Sequence, residues 1–254
     1  MIPQDFSRRI RVEIGTFTVA AGRAHRAHLA ELAQLGVPVL AGLDGWHFLD
    51  RGKTWVVSGY AAASRIAGTR ERMLAVQTGP LHYLQRPDAD HLGVDSSATS
   101  LTGAVARFWL NKQQGNFFSN SAVGVMSPGF DVNDMGYQSR ADVVNVHSGG
   151  GYKWTQPRGW RNYAHVLGAA WGGWDNGGNL NTGGLFGATR LSLASNWTIE
   201  GNAGVNPAMV RNRLTRGGPL VLGRPATSTS WYVSTDPRQR RVYTLNLEAG
   251  ATPA

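Results

Sequence analysis

Alternating apolar and polar residues dominate the chain from about residue 46 onward. The stretch LFGATRLSLASNWTIEGNAGV is the clearest case, because its odd positions hold Leu185, Leu191, Leu193, Trp197, Ile199, Ala203 and Val205. Its even positions hold Arg190, Ser192, Thr198, Glu200 and Asn202. A period of two puts these sets on opposite faces of β-strands. Between them, Ser195-Asn196 predicts a two-residue turn and an antiparallel hairpin.

Clusters of Gly, Asn, Asp and Pro divide the rest of this region into similar segments. They predict strands near 53–66, 79–86, 98–111, 116–126, 138–147, 151–156, 161–174, 180–194, 197–206, 227–235 and 240–248. Upstream, AHRAHLAELAQLG (24–36) predicts a short helix that Gly36 and Pro38 end. We therefore expect an all-β antiparallel meander of about ten strands over residues 46–254, after a partly helical or irregular segment at 1–45.

Two architectures produce this alternation: a soluble sandwich or barrel with its apolar face inward, and a membrane barrel with that face toward lipid. Strands of about 10 residues suit a tilted crossing of a bilayer. Aromatic residues also gather at predicted strand ends, where interfacial girdles lie, namely Trp55, Trp109, Phe117, Trp154, Trp160, Trp171, Trp174, Trp197 and Trp231. These signs favour part of an outer-membrane-type β-barrel. A soluble all-β carbohydrate-active enzyme or lectin is the alternative.

Composition narrows the functional classes. The chain has no Cys, which excludes disulfides, thiolate nucleophiles and cysteine zinc sites. Its net charge of +9 suits an acidic partner such as anionic lipid or lipopolysaccharide. Because Lys and Arg are scattered without a long basic run, nucleic-acid binding is not predicted. The apolar stretch 35–43 is too short for a spanning helix, and Asp5 and Glu13 argue against a signal peptide.

Three motifs carry a family resemblance: LHYLQRPDADHLGVDSSATSLTG (81–103), SPGFDVNDMGYQSRADVV (127–144) and NRLTRGGPLVLGRPA (212–226). They resemble the C-terminal region of a family of uncharacterised bacterial outer-membrane proteins, and the resemblance covers about 46–254. Such proteins join a carbohydrate-binding, family 9-like β-sandwich to a β-barrel of unknown function. The resemblance implies an outer-membrane location for the full-length protein, with lipid or lipopolysaccharide and glycans as partners.

The chain departs from that family in two respects. It lacks the upstream sandwich and signal peptide, and it ends in LNLEAGATPA without the terminal aromatic residue that commonly closes an outer-membrane barrel. Residues 1–45 resemble nothing in the family. We interpret the sequence as a fragment of a longer protein, with an oligomeric state that the sequence does not define.

The acidic stretch SPGFDVNDMGYQSRAD (127–142) is the main candidate for chemistry. A calcium loop would use Asp131 and Asn133 as ligands, with Gly136 at the sixth position and Asp142 at the twelfth. Met135 at the fifth position cannot ligate, and strands rather than helices are predicted on both sides. The competing interpretation is a structural corner in which Asp and Asn accept backbone hydrogen bonds.

A second acidic stretch, RPDADHLG, adds carboxylates that could pair with the first across a sugar, as glycoside hydrolysis requires. The spacing of the histidines fits no zinc motif, and no GxSxG nucleophile elbow occurs. The predicted binding residues are Asp88, Asp90, His91, Asp131, Asp134 and Arg140. No catalytic residue, metal ligand or cofactor is predicted, and the leading function is a non-enzymatic barrel segment for solute passage or for anchoring a carbohydrate-binding domain.

Overall fold

A computed structural model describes residues 39–133 and 137–252, together with the backbone of a strand at Arg9–Gly15. The strands are β1 (Arg9–Gly15), β2 (Val39–Phe48), β3 (Trp55–Ala67), β4 (Ser100–Lys112), β5 (Phe117–Met126), β6 (Val143–Trp154), β7 (Arg161–Trp174), β8 (Leu180–Leu193), β9 (Thr198–Asn206), β10 (Met209–Arg211), β11 (Val221–Gly223), β12 (Ala226–Ser234) and β13 (Thr244–Ala251). One helix, α1 (Arg70–Thr78), follows β3. Within the described ranges, no helix is long and apolar enough to cross a bilayer.

Eleven of these strands form one antiparallel sheet in the order β1-β2-β3-β4-β5-β6-β7-β8-β9-β12-β13. Each strand pairs with the next along the chain, except that β9 pairs with β12. The intervening β10 and β11 form a small hairpin of their own. The predicted all-β antiparallel meander is confirmed, with one strand more than the ten expected.

The sheet begins earlier than the sequence indicated. Strand β2 pairs with β3 along its whole length, and the backbone of β1 pairs with β2. Strand β2 therefore extends across the predicted boundary at residue 46. The helix predicted at 24–36 lies outside the described residues.

The prediction of a strand at 79–86 is wrong, because the structure has no strand there. Helix α1 precedes this segment, and the Thr69 hydroxyl caps it by accepting a hydrogen bond from the Arg72 amide at 3.3 Å. After α1 the chain forms turns in which three successive residues, His82, Tyr83 and Leu84, are buried. Burial of successive side chains is incompatible with the two-residue period of a one-faced strand.

The two strands predicted at 138–147 and 151–156 are one strand, β6. The glycines at 149–151 suggested a break, but they lie where neighbouring strands approach closely. A Cβ on Gly149 would lie 2.7 Å from the Ala169 Cβ, and one on Gly151 would lie 2.1 Å from the Val166 carbonyl oxygen. Glycine in a strand marks such a close approach as well as a turn.

The hairpin between β8 and β9 is confirmed, with a longer turn than predicted. The Asn196 amide donates to the Leu193 carbonyl at 2.9 Å, and the Leu193 amide donates to the Trp197 carbonyl at 2.9 Å. Residues 194–196 thus form a three-residue loop. Asn196 has φ 61°, the left-handed conformation that such loops place at their third residue.

Register divides the large sheet into two faces, because directly opposed residues in an antiparallel pair project to the same side. We call one the apolar face; its exposed members include Leu43, Phe108, Val123, Val146, Val166, Leu185, Val205, Trp231, Leu245 and Leu247. We call the other the polar face; it includes Asp44, Tyr60, Arg107, Asn111, Asn145, His147, His165, Arg190, Glu200, Asn202, Ser230, Asn246 and Glu248. The odd and even sets of the hairpin at 185–205 fall on separate faces, as the sequence predicted.

Aromatic rings cover glycines on the apolar face. A Cβ on Gly59 would lie 2.5 Å from the Phe108 ring, and one on Gly201 would lie 2.4 Å from the Trp231 ring. These glycines let large rings lie flat against the strands, a pairing that offsets the weak packing of glycine in sheets.

The connections at the two rims of the sheet differ in length. At one rim, which we call the turn rim, short connections lie at 49–54, 113–116, 155–160, 194–197 and 235–243. At the other, the loop rim, the long connections 68–99 and 207–225 lie beside 127–133, 137–142 and 175–179. We call the loop-rim segments the loop layer, because they pack together over the adjacent end of the polar face.

The core lies between the loop layer and the polar face. Met73, Leu84, Phe130 and Ala141 of the loop layer are buried. On the strands beneath, Ile66 and Val105 are buried as well. Contact is close enough that a Cβ on Gly103 of β4 would lie 2.0 Å from the Phe130 amide nitrogen. The Asp131 amide also donates to the Ser64 hydroxyl of β3 at 3.0 Å.

Gly103→Ala is therefore expected to lift the loop layer from β4 without unfolding the sheet, because the new methyl group would overlap loop backbone rather than a flexible side chain. Overpacking of this kind costs about 1–3 kcal/mol. Limited trypsin digestion should cleave after Arg140 faster in the variant, while the circular dichroism of the strands stays unchanged.

Gly204→Ala is the matched control, since a Cβ there meets nothing closer than 3.5 Å and also lies on the polar face. Equal cleavage rates for Gly103→Ala and the wild type would contradict the described contact.

Candidate functional site

An ion-pair network is buried at the centre of the loop layer. The Arg86 guanidinium lies 2.5 Å from Asp142 Oδ2 and 3.8 Å from Asp175 Oδ2. The three side chains are 3%, 2% and 0% exposed. One cation thus serves two carboxylates that have almost no access to water.

Asp142 has further partners that satisfy both of its oxygens. Its Oδ1 accepts hydrogen bonds from the Asn176 amide at 2.9 Å and from Asn176 Nδ2 at 2.8 Å. His91 Nε2 lies 3.1 Å from both carboxylate oxygens. Asp142 has φ 61°, a strained conformation for a residue other than glycine, and this set of bonds holds it there.

Asp175 is satisfied in the same way. Its Oδ1 accepts from the Asn179 amide at 2.9 Å, and its Oδ2 accepts from Asn212 Nδ2 at 3.1 Å. Arg86, Asp142, Asp175 and Asn212 come from four different connections of the loop rim. The network therefore ties all four connections together.

Ligand atoms of His91, Asp142 and Asp175 lie within 4.8 Å of one another, a spacing that could suit a metal ion. The donor chemistry argues for a different role. Every carboxylate oxygen already accepts hydrogen bonds, and Arg86 supplies the compensating positive charge. The arrangement is that of a structural ion pair with its hydrogen bonds satisfied.

The electrostatics of Asp142 agree with this role. Burial raises the pKa of Asp142, but the hydrogen bonds from Asn176, His91 and Arg86 outweigh burial and hold that pKa below its usual value. A lowered carboxyl pKa means that the ionised form is favoured in the folded protein.

A second charged contact joins His82 to Asp131 beneath the acidic stretch. His82 is 1% exposed; its Nδ1 lies 2.7 Å from the Pro128 carbonyl oxygen and its Nε2 lies 3.1 Å from Asp131 Oδ2. Both ring nitrogens thus face oxygen atoms. Burial raises the pKa of Asp131, but the His82 bond and the Asn133 amide lower it overall.

The described part of the acidic stretch forms a corner closed by local hydrogen bonds, the geometry that one of the two interpretations predicted. Asp131 Oδ1 accepts from the Asn133 amide at 3.0 Å, and Asn133 Oδ1 accepts from the Gln138 amide at 2.8 Å. Gln138 in turn donates to the Phe130 carbonyl at 2.9 Å. Asp134 lies outside the described residues.

The predicted binding residues occupy separate places in the loop layer. Asp88 accepts a hydrogen bond from the Leu220 amide at 2.9 Å, whereas Asp131 binds His82. These two carboxylates thus belong to different hydrogen-bond sets. Asp90 is exposed, and His91 joins the Asp142 network.

Arg140 borders a cavity of about 330 Å³ between the loop layer and the polar face. The strand side of this cavity includes Tyr60, Arg107 and Asn145, and the loop side includes Tyr137. Arg107 donates to Asn145 Oδ1 at 2.5 Å and lies 5.1 Å from the Trp109 ring centroid. Of the predicted binding residues that the structure describes, Arg140 alone lines this cavity.

Sequence reasoning missed the residues that hold the layer together: Arg86, Asp175, Asn176 and Asn212. Their partners are distant in the chain, 56 residues apart for Arg86 and Asp142 and 37 for Asn212 and Asp175. Asp142 was considered only as the twelfth position of a calcium loop. One available signal was the composition. Only 16% of the residues are charged, so a charged residue inside an apolar stretch is more informative.

Arg86→Met is expected to open the loop layer, because it leaves two buried carboxylates without their cation. Breaking a buried pair by removing one partner costs about 3–5 kcal/mol. Amide hydrogen exchange in segments 81–86 and 140–143 should accelerate, and exchange in β7 and β8 should not. Arg190→Met removes an exposed ion pair with Glu200 and should cost only about 0–1 kcal/mol. Unchanged exchange in Arg86→Met would show that the network does not stabilise the layer.

Acid should open the same layer. Because the pKa of Asp142 is lowered on folding, its contribution is fully present above the usual aspartate pKa of about 4 and is lost as pH falls through the lowered value. Protection factors of segment 140–143 should fall on acidification below about pH 4, and Asp142→Asn should weaken this dependence. Protection that stays constant under strong acid would contradict the assignment.

Comparison with known proteins identifies the family of the chain but assigns it no activity. Residues 51–252 match the model of a domain of unknown function, DUF5916. No curated protein matches the chain, and no solved structure matches it. The matched range includes β3 to β13 and the whole described loop layer from residue 68 onward. The chain therefore belongs to the DUF5916 family.

Proposed function

We propose that the chain forms part of the wall of an outer-membrane β-barrel, with its apolar face toward lipid and its polar face toward the lumen. The observation that carries this proposal is the exposure of the apolar face. Leu185 is 58% exposed, Val205 46% and Leu245 53%, although they lie on different strands. Apolar residues exposed on strand after strand form a continuous patch, which in an isolated soluble protein would favour association.

Strand dimensions support the proposal. Strands β3 and β4 have 13 residues each, and β7 and β8 have 14. At about 3.3 Å per residue and a tilt of about 45°, such strands exceed the roughly 25 Å of the apolar band that outer-membrane barrels present to lipid.

The difference between the two rims also fits. Bacterial outer-membrane barrels have short turns on the periplasmic side and longer loops outside the cell. The turn rim and the loop rim have this asymmetry. The proposal orients the loop layer outward, above one end of the lumen.

Aromatic residues concentrate at the turn rim, where an interfacial girdle would lie. Strand β5 begins at Phe117 and β6 ends at Trp154, and their rings are 48% and 36% exposed. Trp160 and Trp197 lie in adjacent turns and are 65% and 42% exposed. Amphipathic rings prefer the boundary between lipid and water.

The alternative, a soluble carbohydrate-active enzyme or lectin, requires the apolar face to lie in a packed core. In the described residues that face carries many exposed apolar side chains, and the buried apolar side chains of the strands, such as Ile66 and Val105, lie on the polar face. This distribution supports the outer-membrane proposal.

Within this proposal the role is non-enzymatic. The chain either conducts a solute or anchors a carbohydrate-binding domain, with outer-membrane lipid and lipopolysaccharide as its surroundings. The net charge of +9 suits contact with lipopolysaccharide phosphates. The residues of the buried network are engaged in binding one another, which leaves them a structural role.

Site-directed spin labels test which face meets lipid. The chain has no Cys, so single cysteines can be introduced without a background. Labels at Leu191→Cys and Val205→Cys should collide with oxygen dissolved in acyl chains. Labels at Ser192→Cys and Ser230→Cys, which lie on the polar face, should collide with a water-soluble nickel reagent instead.

Each pair serves as the control for the other, because residues 191 and 192 are neighbours with opposite orientation. Should labels 191 and 205 be shielded from both reagents while the protein is monomeric without detergent, the apolar face is packed inside a soluble protein and the proposal is lost.

A further inference from the structure

We call the cavity beneath the acidic corner the chamber; its described lining includes arginines but no carboxylate. It has a volume of about 330 Å³ and is closed on one side by strands β3 to β6 and on the other by residues 137–140. Two arginines, Arg107 and Arg140, line it from opposite sides. No Asp or Glu of the described residues lines it. Pockets of this volume hold small molecules rather than chain segments.

Arg140 lacks a partner for its guanidinium. Among the described residues its side chain makes no hydrogen bond or salt bridge, and its Nε is buried and unpaired. Burial lowers the pKa of Arg140, and nearby Asp142 only partly offsets this effect. Arginine stays charged even so, because its ordinary pKa is above 12. A half-buried cation that no anion contacts directly is costly unless a ligand supplies such a contact.

Arg107 is held in a fixed position on the opposite wall. Besides the bond to Asn145, its Nη2 lies 3.4 Å from His147 Nδ1, and the Trp109 ring packs against it. Space for the guanidinium depends on Gly124, since a Cβ there would lie 3.2 Å from Arg107 Cγ and 3.4 Å from Nη1. A preorganised guanidinium loses little freedom when it binds an anion.

We propose that this chamber binds a small organic anion, with a phosphate or carboxylate group held between Arg107 and Arg140. The chamber volume admits a body of up to about the size of a hexose. Tyr60 and Tyr137 provide aromatic rings at its border, and Asn145 provides an amide. Guanidinium groups suit phosphate and carboxylate because they can donate two parallel hydrogen bonds.

This inference deepens the proposed function by naming the class of solute, and it rests on that function only for the route by which the solute arrives. Binding to the chamber and contact of the apolar face with lipid are separate measurements. A protein whose labels fail to reach lipid can still bind the anion, and the converse also holds.

Isothermal titration of the full chain in detergent micelles tests the proposal with three probes: inorganic phosphate, glucose 6-phosphate and glucose. Phosphate and glucose 6-phosphate should bind at one site, and glucose should not. Arg140→Gln should weaken glucose 6-phosphate binding roughly 10- to 100-fold, as expected for a lost charge-assisted hydrogen bond. Gly124→Val, which fills the chamber and removes no charge, should abolish binding.

Arg190→Gln is the matched control, because Arg190 is also on the polar face but lines no part of the chamber and pairs with Glu200 at 3.1 Å. It should leave binding unchanged. Absence of phosphate and glucose 6-phosphate binding would overturn the proposal, and so would equal loss in Arg190→Gln and Arg140→Gln, which would indicate general attraction to a basic surface. Binding of glucose 6-phosphate that survives Gly124→Val would place the anion elsewhere and overturn it as well.

Discussion

Directly opposed residues of an antiparallel pair project to the same face, and the two faces of this sheet follow from that constraint. Once Leu191 pairs with Ile199, Ser192 must pair with Thr198 on the other side. The same rule applies to each neighbouring pair of strands. Arg190 pairs with Glu200 and Asn202 pairs with Ser230, so all four residues lie on the polar face. A slip of one residue anywhere would mix charged and apolar groups on both faces.

At the loop rim, the loop layer covers the strand ends of the polar face. Charged groups buried there need partners of opposite charge. The loop layer meets that requirement with Arg86, which neutralises Asp142 and Asp175 in a site closed to water. Such a site gains little stability over an apolar core but suffers when any member is lost.

The alternation at 185–205 was sufficient to predict the hairpin and its faces, because each strand's partner is its neighbour in sequence. The same logic failed at 79–86, where burial depends on Pro128 and Asp131, residues almost fifty positions away. Gly149 to Gly151 misled for a related reason: glycine permits both turns and close strand contact, and only the neighbouring Ala169 and Leu167 decide between them. At the candidate site, the corner around Asp131 and Asn133 could be anticipated because two of its hydrogen bonds, from the Asn133 amide and from the Gln138 amide, are local. The Arg86 network escaped prediction because all its bonds between connections are long-range.

The order of the strands gives the buried network a role in assembly. Neighbouring strands of the sheet are neighbours in the chain for every pair except β9 and β12, so each strand closes only a modest loop when it pairs. Arg86 precedes β4, Asp142 precedes β6, Asp175 follows β7 and Asn212 follows β9. The complete network therefore requires that the segments flanking β4, β6, β7 and β9 have come together. A strand set in the wrong register would hold its carboxylate or amide away from the others, so the complete network depends on the correct register of the sheet.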